Sequence, residues 1–241
     1  QYGFRGVLPE AMWGAQFVAL DGSRAMCNAP EMVQWAHFML DLRYKWKVAP
    51  PPPTDVPETE EMLTYIIFRQ GKAAMIRQQT FNISHLREKC AEVDWDVVSN
   101  PIVPDRPRAH WASSAAFLVA ADTKHPDEAW LFAKHLLGDR FQMVMTSESL
   151  PSNRRVAQRM VDENILKPEN LQSVVDAANF LHPYPRIPNL NELLGLWTIA
   201  TEKVFQAYGT SRWEPPEKAF EETARRINET IAKRKRGGGR E

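Results

Sequence analysis

The chain has 241 residues, 44% hydrophobic and 25% charged, and its 30 Lys and Arg are matched by 30 Asp and Glu for a formal net charge of zero. These values fit a soluble globular chain of one large domain or two small ones and exclude a disordered one. Zero net charge argues against a general nucleic-acid binder, whose affinity comes mainly from excess positive charge on phosphates.

Residues 9–20 read as a helix, followed by a turn at Asp21-Gly22. Pro30 opens a clearer helix, with Met32, Trp35, Ala36, Met39 and Leu40 at i, i+3, i+4 spacing. It stops before Pro50 to Pro53, a run that cannot be helical and is expected as a polyproline II surface loop. That loop is either a stiff connector or a segment for a proline-binding partner, the connector being the commoner case. Glu60 to Arg69 forms the next helix, leading into F-R-Q-G-K-A-A-M at 68–75. Gly71 suits the left-handed conformation that caps a helix, and a strand is expected near Ala73 to Ile76. Phe81 follows shortly after. The stretch is an ordinary helix-to-strand corner or one wall of a ligand cleft.

Val93 to Val98 is a second predicted strand. The uncharged run Ala115 to Ala120 is a third, of the type buried on both faces of a parallel sheet. Pro126 starts a helix with Ala129, Phe132, Ala133, Leu136 and Leu137 on one face, and a further helix runs from about Asp139 to Thr146. Helices then dominate, over about 153–163, 168–180, 190–208 and 216–235. The tail K-R-K-R-G-G-G-R-E from Lys233 is expected to fray in solvent, a nucleic-acid or membrane patch being the other reading. Strands alternate with helices early and helices follow, which is an α/β layout. The strands are too few for a complete doubly wound domain of this length.

Chemistry-bearing motifs are missing. No G-x-G-x-x-G, P-loop, H-E-x-x-H or G-x-S-x-G occurs, so no enzyme activity is expected. His135 and Asp139 stand at i, i+4 without a serine or cysteine placed to complete a triad. Cys27 and Cys90 are far apart and the six histidines have no metal spacing, so neither a metal nor another cofactor is expected. Two buried thiols are the default reading of the cysteines and one disulfide the alternative. No apolar run approaches the ~20 residues of a membrane helix.

Several segments, in order, resemble one family. They are W-G-A-Q-F-V-A-L-D-G at 13–22, N-A-P-E-M-V-Q-W-A at 28–36 with D-L at 41–42, F-R-Q-G-K-A-A-M at 68–75 and N-P-I-V-P at 100–104. S-S-A-A-F-L-V-A-A-D-T-K-H-P-D-E-A-W at 113–130, L-P-S-N-R at 150–154 and P-R-I-P-N-L at 185–190 complete the series. The chain thereby resembles the extracellular solute-binding proteins of ABC importers, the family 1 group that includes maltose-binding protein.

The resemblance implies an α/β, periplasmic-binding-protein type II-like, two-lobed fold that is helix-rich and closes by hinge motion, here with most of the first lobe missing. It implies residues 1–103 and 151–235 in the second lobe, a hinge crossover at 104–111, residues 112–150 in the first lobe and a disordered basic tail at 236–241. Without a complete first lobe, residues 112–150 are expected to expose apolar strand edges and helix faces. Family members bind a sugar, oligosaccharide or similar polar solute and deliver it to the transmembrane subunits of an ABC permease. The implied location is periplasmic or extracellular at the cell surface. The implied membrane contact runs only through the permease or a lipid anchor on an N-terminal segment.

Carried over residue by residue, Phe81 occupies the place of a cleft tryptophan. Glu10 and Trp13 sit where the second lobe often touches ligand, and Trp111, Ser113 and Ser114 match the crossover. Aromatic faces take the C–H faces of sugars, and polar groups take their hydroxyls. At each position core packing is the equal alternative. Leu193 and Leu194 are aliphatic where maltose-type members place an aromatic, which points away from a maltodextrin. The rival to this reading is a truncated, non-binding helical interaction or scaffold protein derived from the same fold.

Overall fold

The computed structural model describes residues 10–49, 60–112, 116–147, 150–164, 166–183 and 190–237. Among them the α-helices are α1 (Pro30–Leu40), α2 (Glu60–Arg69), α3 (Ile83–Lys89), α4 (Pro126–Leu136), α5 (Asp139–Val144), α6 (Arg154–Asp162), α7 (Gln172–Ala177), α8 (Leu190–Thr201) and α9 (Pro216–Gly237). The strands are β1 (His110–Ala112) and β2 (Leu181–Pro183), paired in parallel with Trp111 opposite His182. The chain divides into two compact units, one of Gln1–Glu60, Pro101–Ala112 and Leu181–Glu241, the other of Glu61–Asn100 and Ser113–Phe180.

The first unit is built around aromatic rings that the helical spacing delivers to one place. α1 begins with Pro30 in its first turn, where a missing N–H costs nothing, and buries Met32, Trp35, Ala36 and Leu40. It runs on through a π-helical turn at Asp41–Lys45. α8 buries Leu193, Trp197, Ala200 and Thr201 and likewise continues through a π turn at Glu202–Gln206. α9 contributes Ala219, Phe220, Thr223, Ala224 and Ile227. The Trp197 ring lies 4.7 Å from Phe220, and Trp35 meets Phe205 edge-on at 5.4 Å. Such aromatic pairs add about 0.5–1.5 kcal/mol each beyond their buried area. α9 continues through Gly237, so Lys233 to Arg236, expected to fray, are helical, and Arg234 donates to Glu192 at 2.8 Å.

Residues 9–20 do not form the expected helix. A single 3-10 turn spans Glu10–Trp13, and Gly14 at φ +71° then turns the backbone into the left-handed region, which ends any helix. Phe17 and Val18, both buried, enter a short hairpin. Met26 N–H donates to the Phe17 carbonyl at 2.9 Å, Ala19 N–H donates to Arg24, and Val18 bridges Ala25 antiparallel. The turn expected at Asp21-Gly22 is its tip, with Gly22 at φ +67° and the Ser23 N–H on Asp21 Oδ1 at 2.9 Å.

In the second unit Leu86, Cys90 and Trp95 form a small core, with Tyr65, Phe68, Ile76, Ile83, Val93 and Val97 packed around it. α2 ends as the sequence predicts. Gly71 has φ +67°, Lys72 N–H donates to the Ile67 carbonyl and Gly71 N–H to the Phe68 carbonyl, both at 2.9 Å. These are the two bonds of a Schellman cap. α3, which the sequence pattern did not announce, follows at residue 83.

The three expected strands join no sheet among the described residues. Val93–Val98 is held instead by side chains. The Val97 carbonyl accepts from Asn170 Nδ2 at 3.0 Å and Ser173 Oγ at 3.3 Å, and Asp96 accepts the Asn170 N–H at 2.9 Å. With its polar groups engaged this way the segment needs no ladder. Residues 73–76 leave the Gly71 cap with Met75 exposed while Ile76 turns to the small core. Residues 116–120, expected to be doubly buried, are exposed, and no described strand lies beside them to cover either face. The expected apolar stripe of α4 is also mostly exposed: Ala133 is buried, while Phe132 and Leu137 are not. Residues 50–53 and 238–241 lie outside the described residues.

Candidate functional site

Two of the sequence-derived site positions converge on the first unit's 3-10 turn, and a third lies on the strand packed beside it. Glu10 opens the turn Glu10–Trp13 and Trp13 closes it; the turn packs on α1 and on β1, the strand that holds Trp111. Gly14, at φ +71°, ends the turn, and a side chain there would meet only Arg106 at ordinary contact distance. Arg106 crosses it, its Cδ 3.8 Å from where a side chain on residue 14 would begin. The same guanidinium reaches Glu31 and Gln34 of α1, each at 3.4 Å. Arg106 therefore ties the loop that leads into β1 to the helix under the turn.

The Trp13 ring is half-buried against the main core, its centroid 5.4 Å from that of Phe38 on α1. Phe38 in turn meets Trp46 edge-on at 5.9 Å, and Lys45 Nζ lies 5.6 Å from the centre of the Trp46 ring. Phe38 and Trp46 are 38% and 48% exposed, so the row runs from core to solvent. Rings with free apolar faces next to charged side chains offer what a sugar requires, a stacking face and hydroxyl partners. Sequence reasoning singled out Trp13 and missed Phe38 and Trp46. The available signal was that Phe38 falls off the apolar stripe of α1 and Trp46 beyond its end.

Phe81 belongs to the second unit, on the 3-10 turn Thr80–Asn82, with its ring 45% exposed. Its neighbours hold it there. Asn82 is buried with Nδ2 on Gln78 Oε1 at 2.7 Å, and Ser84 Oγ donates to the Phe81 carbonyl at 3.2 Å. Behind this turn Thr80, Ile83, Arg87, Met160, Leu171 and Val174 line a crevice with about 10 Å³ of free space, room for one water and not for a solute. Arg87 closes it by donating Nε to the Lys167 carbonyl at 2.5 Å, and burial pushes its guanidinium below the usual range. Ser113 and Ser114 lie outside the described residues. Leu193 and Leu194 both pack into the core of the first unit, which accounts for aliphatic side chains there.

Cys27 and Cys90 are free thiols, both buried. Burial pushes the Cys27 thiol up to about 12 and raises that of Cys90, which suits inert core positions. Among the described residues no cluster of His, Cys, Asp or Glu has the arrangement to hold a metal, and no helix is long and apolar enough to cross a membrane.

No protein-family model and no curated protein matches the chain, whereas solved structures match it over nearly its whole length. An ABC substrate-binding protein from Listeria monocytogenes, in complex with cycloalternan, is 20% identical with a TM-score of 0.73, over 92% of this chain and 55% of that one. An ABC transporter solute-binding protein from Thermotoga lettingae, bound with alpha-D-tagatose, is 17% identical with a TM-score of 0.73, over 95% and 56%. The sugar-binding protein MalE of Xanthomonas citri is 17% identical with a TM-score of 0.76, over 99% and 59%. This chain thus spans somewhat more than half the length of each. Over that length it has the two-lobed α/β fold of the sugar-binding proteins of ABC transporters.

Proposed function

We propose that the chain is part of the substrate-binding component of an ABC importer, non-catalytic, which takes a sugar, oligosaccharide or similar polar solute and hands it to a membrane permease outside the cytoplasm. The observation that carries this reading is the fold match over 92–99% of the chain to proteins whose ligands are sugars. The local geometry supports it. Trp13 stands at the inner end of a partly exposed aromatic row, its turn packs on the strand bearing Trp111, and Phe81 presents an open ring from a fixed turn. In this reading Trp13, Trp111 and Phe81 stack on sugar faces, while Glu10, Ser113 and Ser114 meet hydroxyls. The hinge crossover is residues 104–111, where Arg106 anchors the loop to α1.

Titration calorimetry against a panel of mono- and oligosaccharides tests the reading. Saturable binding of at least one member is the expected result. Heat no larger than dilution for every sugar and polyol removes the ligand class. A second reading, a non-binding helical interaction protein of the same fold, is favoured by the exposed apolar face of α4. It predicts no sugar binding together with a folded chain.

A further inference from the structure

Trp13 and Trp111 come from parts of the first unit far apart in sequence, and one side chain joins the elements that carry them. Arg106 lies on the loop that leads into β1, the strand of Trp111. Its guanidinium donates Nη1 to Glu31 Oε1 and Nη2 to Gln34 Oε1, each at 3.4 Å. Glu31 and Gln34 stand three apart on α1 and so on one side of the helix. The Trp13 turn packs on that same helix and on β1. The apolar stem of Arg106 lies over Gly14, the residue after Trp13, with Cδ 3.8 Å from the position of a Cβ there. Loop, helix and turn thus meet at Arg106.

The backbone aims this side chain. Val103 to Arg106 form a tight turn closed by the Arg106 N–H on the Val103 carbonyl at 3.1 Å, with Pro104 second and Asp105 third, where φ is +60°. Proline followed by a residue of positive φ is the arrangement of a type II turn, which favours glycine or asparagine at the third place. Aspartate there is strained, and such a residue persists only where its surroundings hold it. The two-pronged grip of Arg106 on α1 is such a hold. The side chains of Arg106 and Glu31 are 30% and 31% exposed, so this pair is better shielded from solvent than the Arg225–Glu229 pair of α9, at 58% and 52%.

We propose that Arg106 is a positioning residue for sugar binding: it touches no sugar, and its fork on Glu31 and Gln34 holds the Trp13 turn and the strand of Trp111 in one fixed relation. The inference rests on the sugar-binding reading of those two tryptophans. Holding them in place before the ligand arrives removes an ordering cost from the binding step. The hold is ionic, so even an uncharged sugar acquires a salt-dependent affinity, through a contact it never makes.

Calorimetry of the complete protein with uncharged mono- and oligosaccharides, maltotriose, cycloalternan and tagatose among them, tests the proposal at ionic strengths from on the order of 0.01 M to 1 M. Arg106→Met, which keeps a stem over Gly14 and loses the fork, is expected to weaken binding roughly five-fold at low salt. Glu31→Gln, which leaves the loop intact, is expected to fall between the parent and Arg106→Met. So is Arg106→Lys, whose single nitrogen cannot serve both partners as the fork does. High salt is expected to narrow the gap between the parent and Arg106→Met to about two-fold or less. Arg225→Gln, at an exposed ion pair of the same unit, is expected to change neither affinity nor its salt dependence. In the sugar-free protein, the amides of residues 13–15 and 110–112 are expected to exchange faster in Arg106→Met while those of α9 do not. A parent that binds a sugar, with Arg106→Met and Glu31→Gln binding it equally well, overturns this inference alone. So does a gap that salt leaves unchanged. A parent that binds no sugar overturns the sugar-binding reading and this inference with it.

Discussion

Trp13 and Phe38 meet with ring centroids 5.4 Å apart and planes inclined at 50°, one ring on the turn before Gly14 and the other on the outer side of α1. Under the sugar-binding reading this contact sets the height at which the Trp13 face is offered. Trp13→Ala is expected to weaken sugar affinity by about 1 kcal/mol or more, close to ten-fold, while Phe38→Ala costs less because it removes only the support. Calorimetric dissociation constants beside thermal midpoints separate the two effects. Equal loss of affinity and of stability in both variants would mean that Trp13 is a packing residue.

Gly71 tests how far the α2 cap depends on backbone freedom. Its φ is +67° and no atom lies within 4 Å of where a Cβ would sit, so Gly71→Ala meets strain without a clash. A loss of about 1 kcal/mol is expected, roughly 2–4 °C in thermal midpoint for a chain of this size. Gly71→Asn should lose less, since Asn tolerates the left-handed region. Differential scanning calorimetry on the three proteins checks the order Gly, Asn, Ala.

Trp197 touches Phe17, Trp35 and Phe220 and is fully buried. Trp197→Ala should cost about 3–5 kcal/mol, among the largest effects of any single substitution in the first unit. Urea unfolding with unchanged slope and a lowered midpoint is the expected signature.

The fold was legible where spacing alone decides it. Met32, Trp35, Ala36 and Leu40 identified α1 and its buried side, and Gly71 announced its own positive φ. It was not legible where partners decide. Val97 has the composition of a strand residue, yet its carbonyl is taken by Asn170 and Ser173, more than seventy residues away. Residues 116–120 have the composition of a central strand and stand exposed, because burial depends on neighbours that local sequence does not encode. Of the candidate site, Trp13 was found through the resemblance. Phe38 and Trp46 escaped because an aromatic off the core stripe reads as an ordinary surface residue.

Glu217 accepts from His37 Nε2 at 2.7 Å, and this hydrogen bond holds its carboxyl below the usual range, with its own backbone amide second. A carboxyl whose folded pKa is depressed stabilises fully above its unfolded value, and that contribution is lost as pH falls through the folded one. Both side chains are more than half exposed, so solvent screening keeps the effect to a few tenths of a kcal/mol. Glu217→Gln is therefore expected to lose those few tenths of a kcal/mol near neutrality and to match the parent once pH falls below the folded value, which flattens the acid limb slightly. Urea midpoints at closely spaced acid pH values measure it.

Cys27 and Cys90 should both resist a thiol reagent in the native protein at mildly alkaline pH, since burial raises both thiols and covers both sulfurs. Rapid reaction of two thiols is expected only after denaturation. Fast labelling of either in the native state contradicts the packing described.

Membership of this chain in a sugar-capturing protein is tested most plainly by direct titration with sugars. Calorimetry of the complete protein that contains this chain, with maltotriose, cycloalternan, tagatose and a wider panel of mono- and oligosaccharides, is expected to give saturable binding to at least one, weakened by Trp13→Ala. No binding of any sugar by the complete protein, shown to be folded, would contradict the account.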